Sequence, residues 1–181
     1  DIYQFIFMFL SFILLFIGSW IEFGSIKLLF SILPNNLSNP TGENSIQYIL
    51  VWFFIALWTF VDPSFHQRTV AAKSNKTAIF GIIISVFFWI IFDFLTVMTG
   101  LYAISILESP NPLFIYPVLA LKVLPVGLIG IFFVGLFSII ISTIDSYALI
   151  SASTFGRDIV ARINKNKYII KYIKIGLLVS W

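Results

Sequence analysis

The sequence predicts an all-α fold of membrane-crossing helices, and three observations support this prediction. The 181-residue chain is 60% hydrophobic and only 10% charged, whereas a soluble domain is about 45–50% apolar and about 25% charged. Its mean hydropathy is +1.03. Apolar runs close to the roughly 20 residues that span the hydrocarbon core recur along it. Because a helix satisfies its own backbone hydrogen bonds in lipid, we expect polytopic helices surrounded by a bilayer.

Hydropathy places five membrane spans along the chain, at residues 2–21, 47–61, 78–107, 126–152 and 168–181. The second span is short for a full crossing and ends at Asp62 and Pro63, where proline removes a helical donor. Segment 22–46 is predicted as a surface loop with a short interfacial helix in its middle, and segment 108–125 as a proline-rich loop with one short helix. Because the chain opens and closes on apolar runs, we expect residues 1–181 to be one partial transmembrane domain.

The basic residues predict how the spans are oriented. Nine of the eleven Lys and Arg follow the second or the fourth span, which places them on one side: Arg68, Lys73, Lys76, Arg157, Arg162, Lys165, Lys167, Lys171 and Lys174. Only Lys27 and Lys122 fall on the other side. By the positive-inside rule, loops 62–77 and 156–171 face the cytoplasm of a multi-pass protein of the cell membrane. The net charge of +3 therefore reflects orientation and does not indicate a nucleic-acid partner.

The fourth span carries a polar cluster near its middle. Ser138, Ser142 and Asp145 lie near one helical face, with Thr143 and Ser146 beside them. A carboxylate at that depth costs roughly 2.5–3.5 kcal/mol on insertion scales, so it usually serves a function. Because hydroxyls are hard oxygen ligands, the cluster predicts an ion or substrate site. In the alternative interpretation, these hydroxyls bond to carbonyls of their own helix or to a neighbouring helix.

Two further features are candidates for a solute pocket. Asp93 is a second carboxylate at membrane depth, and a hydrogen bond to another helix explains it as well as substrate contact does. Transporters often bind solutes where a membrane helix is broken near the midplane. The short second span therefore offers Trp52, Trp58 and Thr59 as lining residues. Contact with lipid explains the two tryptophans equally well.

The sequence contains no catalytic constellation. It has no cysteine and a single histidine, His66. Neither a phosphate-binding Walker loop nor a GxSxG nucleophile motif occurs in it. We therefore expect no enzyme activity and no organic cofactor, and a membrane enzyme or scaffold without ion coupling is kept as an alternative.

Two segments resemble the sodium:solute symporter family. DPSFHQRTVAAKS at residues 62–74 is similar to that family's DQ-x-x-x-QR-x-x-AAKS loop. Residues 116–159 are similar to its YP-LLP-GL-G segment followed by a helix of the pattern MSTxDSxLxxxSTxxxxDI. The two segments have the family's order and spacing, and the resemblance extends over residues 45–175. It implies a LeuT-type inverted-repeat fold in which the five spans are core helices five to nine and the QR loop is cytoplasmic.

The resemblance also implies a sodium site shared between core helices one and eight, with Na⁺ as the coupling ion. The helix-eight ligands correspond to the hydroxyls of Ser142 and Thr143 and to the backbone carbonyl of Ile139. Asp145 occupies the acidic position of the pattern, which implies a second ion contact or a hydrogen bond between helices. Its polar neighbours are Ser138 and Ser146. Core helix one lies outside this chain, so we expect the chain to hold half of the site.

The expected solute pocket differs from that of the family's sugar transporters. Where those carry polar residues on core helices six and seven, this chain has Ile55, Trp58 and Trp89, and Asp93 follows one turn later. The resemblance implies sodium-coupled symport of a small organic solute by alternating access, and the apolar side chains favour a partly apolar one. Because some relatives fuse the same domain to a signalling module, a membrane sensor is the alternative function.

Overall fold

The computed structural model describes residues 2–108, 111–160 and 169–180, apart from the side chains of Ile169, Val179 and Ser180. The described residues are largely helical and contain no strand, as predicted. The α-helices are α1 (Ile2–Phe23), α2 (Ile26–Ile32), α3 (Asn35–Ser38), α4 (Ile46–Ala56), α5 (Pro63–Val70), α6 (Asn75–Ile106), α7 (Ile115–Val123), α8 (Val126–Ser153) and α9 (Ile169–Ser180). Short 3₁₀ turns occupy Leu57–Phe60 and Pro112–Phe114, and a π-helical segment, Thr154–Val160, continues α8.

Three helices in the described part of the chain are long and apolar enough to cross a membrane: Ile2–Phe23, Asn75–Ile106 and Val126–Val160. The helical stretch Ile46–Phe60 makes a fourth crossing if it is combined with α5 across the break between them. These lengths and compositions are those of an all-α membrane protein. Of the predicted fifth span, Tyr168 and Trp181 lie outside the described residues.

Polar side chains fix the starts of several helices. Ser25, Ser45 and Ser74 each accept a hydrogen bond from the backbone N–H three residues later, at the starts of α2, α4 and α6. Such N-caps satisfy one of the orphan donors of the first turn. The short helix predicted inside segment 22–46 is therefore present as α2, and its start is set by Ser25.

The predicted cytoplasmic loop 62–77 contains a helix, α5, that the sequence analysis did not anticipate. Asp62 caps it, because one carboxylate oxygen accepts from the backbone N–H of Ser64 at 2.8 Å and also from the Ser64 hydroxyl. Pro63 occupies the first turn, where the absence of an N–H costs nothing and the fixed φ favours the helix. The Asp-Pro pair, where the sequence predicted a break, is thus a helix start.

The chain divides into two compact units. Unit 1 consists of Asp1–Trp58 and Lys73–Ile139, and unit 2 consists of Thr59–Ala72 and Ile140–Trp181. The helix α8 contributes its first half to unit 1 and its second half to unit 2.

The core of unit 1 lies where α1, α6, α7 and the first half of α8 meet. Phe12 of α1, Leu119 of α7 and Phe132 of α8 are buried there. The Phe12 ring centroid lies 5.1 Å from that of Phe92 and 5.2 Å from that of Tyr116, in edge-to-face orientations. Aromatic pairs prefer this geometry, which adds to the attraction from apolar contact. The many Phe residues therefore serve partly as packing between helices.

Two tyrosines of unit 1 donate hydrogen bonds to backbone carbonyls. The Tyr102 hydroxyl donates to the Gly24 carbonyl at 3.0 Å, and its side chain is fully buried. Gly24 follows α1 with a φ of 112°, a conformation that favours glycine. The Tyr116 hydroxyl donates to the Thr96 carbonyl at 3.1 Å, and burial raises the pKa of this phenol. Each bond ties one helix to the backbone of another segment.

Lys122, one of the two basic residues predicted on the outer side, has a structural partner. Its ammonium group donates to the Ile106 carbonyl, at the end of α6, at 2.8 Å. The last carbonyls of a helix lack intrahelical partners and carry partial negative charge, so a cation there is favourable. This contact explains why a lysine is present on the predicted outer side, where the loops otherwise carry few basic residues.

Unit 2 is held together by small residues. Gly156, in the π-helical segment, lies so close to α9 that an added Cβ would come within 2.8 Å of the Ile173 backbone nitrogen. A Cβ on Gly176 would lie 3.1 Å from the Ala152 Cα. Small residues spaced by four allow helix backbones to approach closely in membranes. In the structure the helical path continues to Val160, although residues 156–171 were predicted as a loop.

Gly135→Val is expected to destabilise the protein, because α8 passes very close to α1 at this position. A Cβ there would lie 2.5 Å from the Phe7 carbonyl oxygen and still closer to the Ser11 side chain. Overpacking of this kind costs about 1–3 kcal/mol or more. The measurement is the thermal unfolding midpoint of the purified protein in detergent.

The matched control is Gly130→Val on the same helix, since a Cβ at Gly130 meets nothing within 4 Å. Equal midpoints for the two valine variants would contradict the close approach of α1 and α8.

Tyr102→Phe is expected to lower stability by about 1 kcal/mol, because the Gly24 carbonyl loses a buried donor. Tyr147→Phe is the control, since the Tyr147 side chain is exposed. Thermal midpoints again provide the measurement, and a loss of the same size in both variants would argue against the buried hydrogen bond.

Candidate functional site

The middle of α8 carries the three residues predicted to bind sodium: Ile139 is the last residue of unit 1 on this helix, and Ser142 and Thr143 belong to unit 2. Ile139, Ser142 and Thr143 belong to one uninterrupted α-helix. In an α-helix the carbonyl of residue i lies beside the side chains of residues i+3 and i+4. The Ile139 carbonyl and the hydroxyls of Ser142 and Thr143 therefore share one side of α8. Ser142 is half-buried and Thr143 is exposed, so both side chains border open space in the described structure.

These three groups are neutral oxygen donors. Oxygen ligands suit hard cations, whereas thiolate and imidazole ligands suit transition metals. Among the described residues, no group of three or more His, Cys, Asp or Glu side chains could hold a metal ion. The donor set thus fits a hard cation such as an alkali ion.

Ser138 matches the structural interpretation of the polar cluster. Its side chain is buried, and its hydroxyl donates to the Val134 carbonyl at 2.8 Å. Ser146 behaves similarly, because its hydroxyl donates to the Ser142 carbonyl at 2.9 Å. Hydroxyls in membrane helices commonly satisfy themselves in this way. The structure therefore gives these two serines a helical partner, which the sequence could only offer as one of two alternatives.

Ser146 also accepts a hydrogen bond from α5. A guanidinium nitrogen of Arg68 lies 2.9 Å from the Ser146 oxygen. Arg68 stands in the last turn of α5, and both residues belong to unit 2. The sequence analysis treated Arg68 only as a topology signal, because the two residues are 78 positions apart and no motif spacing links them.

Asp145 lies on α8 three residues after Ser142 and is half-buried. Its predicted role, an ion contact or a contact between helices, stays a prediction. Ile144, which precedes it, is exposed, and Ser146, which follows it, is half-buried.

An open groove of about 290 Å³ runs along α8 beside the candidate ligands. It is lined by Thr143, Ile144, Tyr147, Ala148 and Ser151. Thr143, Tyr147 and Ser151 follow one another at steps of four, so three hydroxyls line one face of the helix. Sequence reasoning missed Tyr147 and Ser151, although this spacing from Thr143 was a signal that could have found them.

The four residues predicted for a solute pocket are all exposed. Ile55 and Trp58 are 51% and 68% exposed on the helical stretch that begins with α4, and every residue of 46–58 is exposed. Trp89 is 50% exposed on α6, and Asp93, on the same helix, is exposed as well. The Asp93 carbonyl accepts a hydrogen bond from the Thr96 hydroxyl at 3.0 Å. A pocket formed by these four residues stays a prediction.

Comparison with known proteins identifies the family. The sequence profile described as "Sodium:solute symporter family" matches residues 1–179. No curated protein sequence matches the chain. No solved structure matches it either. The match supports the resemblance found in the sequence and gives no support to the sensor alternative. The chain therefore belongs to the sodium:solute symporter family, a family of membrane transporters.

Proposed function

We propose that this chain is part of a sodium-coupled symporter that moves a small organic solute across the cell membrane by alternating access. The main support for this proposal is that neutral oxygens of Ser142, Thr143 and the Ile139 carbonyl lie on one side of α8. The chain also belongs to the sodium:solute symporter family. In this proposal Na⁺ is a co-transported substrate, and these groups supply about half of its ligands.

The remaining ligands come, in this proposal, from core helix one of a LeuT-type inverted repeat, outside residues 1–181. Sodium then joins two helices that belong to different parts of the transporter. A ligand shifts a conformational equilibrium only by its differential affinity for the two states. Sodium therefore favours the state in which the two half-sites face each other. In this proposal, the solute binds more tightly to that state than to the other.

The membrane potential supplies part of the driving force. Moving one positive charge inward releases about 2.3 kcal/mol per 100 mV. The proposed orientation, with residues 62–77 and 156–171 in the cytoplasm, is supported by the positions of the basic residues. Of these residues, Arg162, Lys165 and Lys167 lie outside the described structure.

The proposed solute is small and partly apolar. Ile55, Trp58 and Trp89 are apolar or aromatic at positions where the family's sugar transporters carry polar residues. Burial of apolar solute surface against such side chains is favourable, at roughly 25 cal/mol per Å². Asp93, one turn after Trp89, would hold a polar or cationic group of the solute.

Ser142→Ala and Thr143→Ala are each expected to weaken sodium binding about tenfold or more, since the loss of a ligand worth about 1.4 kcal/mol corresponds to a factor of ten. Sodium binding is measured without knowledge of the solute, from the rise in the thermal midpoint of the purified full-length protein as NaCl replaces choline chloride at constant ionic strength. A ligand that binds the native state raises the midpoint by mass action. The readout is the sodium concentration of half-maximal effect.

Ser85→Ala is the matched control, because Ser85 also sits in a long apolar helix and its hydroxyl donates to the Gly81 carbonyl at 2.8 Å. This variant is expected to keep the wild-type sodium dependence. If both α8 variants kept it as well, Ser142 and Thr143 would not be sodium ligands.

A further inference from the structure

We propose that Arg68 is a positioning residue for the sodium site: its docking onto Ser146 and the binding of sodium one turn earlier on α8 oppose each other. The inference deepens the proposed function and rests on it, since it takes Ser142 and Thr143 as sodium ligands. It assigns a task to α5, which the proposed mechanism does not otherwise use.

A relay of two hydrogen bonds connects α5 to the candidate ligand Ser142. Arg68 donates to the Ser146 hydroxyl at 2.9 Å, and that hydroxyl donates to the Ser142 carbonyl at 2.9 Å. Both distances are within the normal range for hydrogen bonds. The relay lies entirely within unit 2. It therefore links a segment of the predicted cytoplasmic loop to the backbone of the proposed sodium site.

The direction of each bond is fixed by chemistry. A guanidinium group only donates, whereas a serine hydroxyl has one proton and two lone pairs. The Ser146 proton is used on the Ser142 carbonyl, so a lone pair of Ser146 is available to Arg68. A charged donor makes a stronger hydrogen bond than a neutral one and polarises the group it binds. Docking of Arg68 consequently draws electron density away from the turn that carries Ser142.

The charge of Arg68 also acts directly on a cation at this turn. Arginine stays protonated in proteins, so docking always brings a full positive charge to Ser146. Ser146 lies four residues after Ser142 and three after Thr143. Two positive charges one helical turn apart repel each other, and the repulsion is stronger in a membrane protein than in free water. Because Arg68 is exposed, solvent screens part of this repulsion.

Coupling between two binding events is reciprocal. If the docked Arg68 weakens sodium binding, bound sodium weakens the docking of Arg68 by the same factor. An incoming sodium ion would then loosen α5 from α8, and renewed docking would help to expel sodium on the side of loop 62–77. In this scheme α5 acts as a latch: it is docked on α8 when the ion site is empty and released when sodium is bound.

The test uses Arg68→Gln and Ser146→Ala in the full-length protein, with sodium binding measured by thermal stabilisation at constant ionic strength. Removal of the charge or of its acceptor is expected to lower the half-effect sodium concentration about fivefold to tenfold, the lower part of the range of ordinary coupling between sites. Because both changes break the same contact, the double variant is expected to match the single variants.

Two controls separate the latch from a purely structural role. Arg68→Lys keeps the charge and a donor, so its sodium dependence is expected to stay close to that of the wild type. Lys73→Gln removes one charge from the same predicted cytoplasmic loop, at a position that is exposed, and is also expected to leave sodium binding unchanged. A contact that merely anchors α5 would lower the thermal midpoint without changing the half-effect concentration.

The proposal is overturned if Arg68→Gln leaves the half-effect concentration unchanged, if the effects of Arg68→Gln and Ser146→Ala add independently, or if Lys73→Gln produces the same shift. Ser142→Ala distinguishes this failure from that of the proposed function. If Ser142→Ala still weakens sodium binding, only the latch is wrong. If wild-type protein shows no sodium stabilisation, both the sodium site and the latch are wrong.

Discussion

The structure depends on one constraint: in lipid, a polar group without a partner inside the protein is costly. The helices meet it locally. Ser11, Ser19, Thr99 and Ser138 are buried, and each hydroxyl donates to a carbonyl three or four residues earlier on its own helix. A hydroxyl that is bonded in this way keeps two lone pairs on its outer side. A serine that donates its proton to a helix carbonyl can therefore also act as an ion ligand, because ligation uses the lone pairs of the oxygen and not the proton. Ser146 uses both its proton and a lone pair, since it donates to Ser142 and accepts from Arg68.

Close contacts between helix backbones hold α8 in each unit. In unit 1, Gly135 lets α8 approach the Phe7 and Ser11 region of α1. In unit 2, Ala152 and Gly156 let the end of this helix approach α9. Contacts of this kind are shape-dependent, because lipid offers no hydrophobic penalty that would drive helices together. The candidate ligands Ser142 and Thr143 lie in unit 2, on the part of α8 that leads to the contact with α9.

Hydropathy predicted the all-α membrane fold because apolar length is a strong signal, and α1, α6 and α8 are long apolar helices. It did not predict α5, because the helix is short and polar and starts with an Asp-Pro pair that suggested only a break. The extension of α8 to Val160 was also missed: the end of this stretch packs closely against α9 at Gly156 and Ile173, and no local sequence pattern reveals such a contact. The resemblance named the ligand pair on α8, but the Arg68–Ser146 bond joins residues 78 positions apart. Contacts of that kind follow from tertiary structure, and a single sequence carries no local record of them.

In the proposed mechanism, the charge balance of the site depends on whether Asp145 belongs to the ligand set. With ligands from Ser142, Thr143 and a backbone carbonyl alone, the loaded half-site carries the full charge of sodium, and the step that moves the loaded carrier responds to the membrane potential. With the half-buried Asp145 carboxylate in the ligand set, the loaded site is neutral and the empty site is negative. The potential then acts on the return of the empty carrier. In both cases the proposed mechanism moves one positive charge across the membrane in each cycle for each sodium ion, so the total driving force is the same. In the proposed mechanism, the position of Asp145 therefore determines which step responds to voltage, while the neutral hydroxyls and the proposed latch at Arg68 determine how tightly sodium is held.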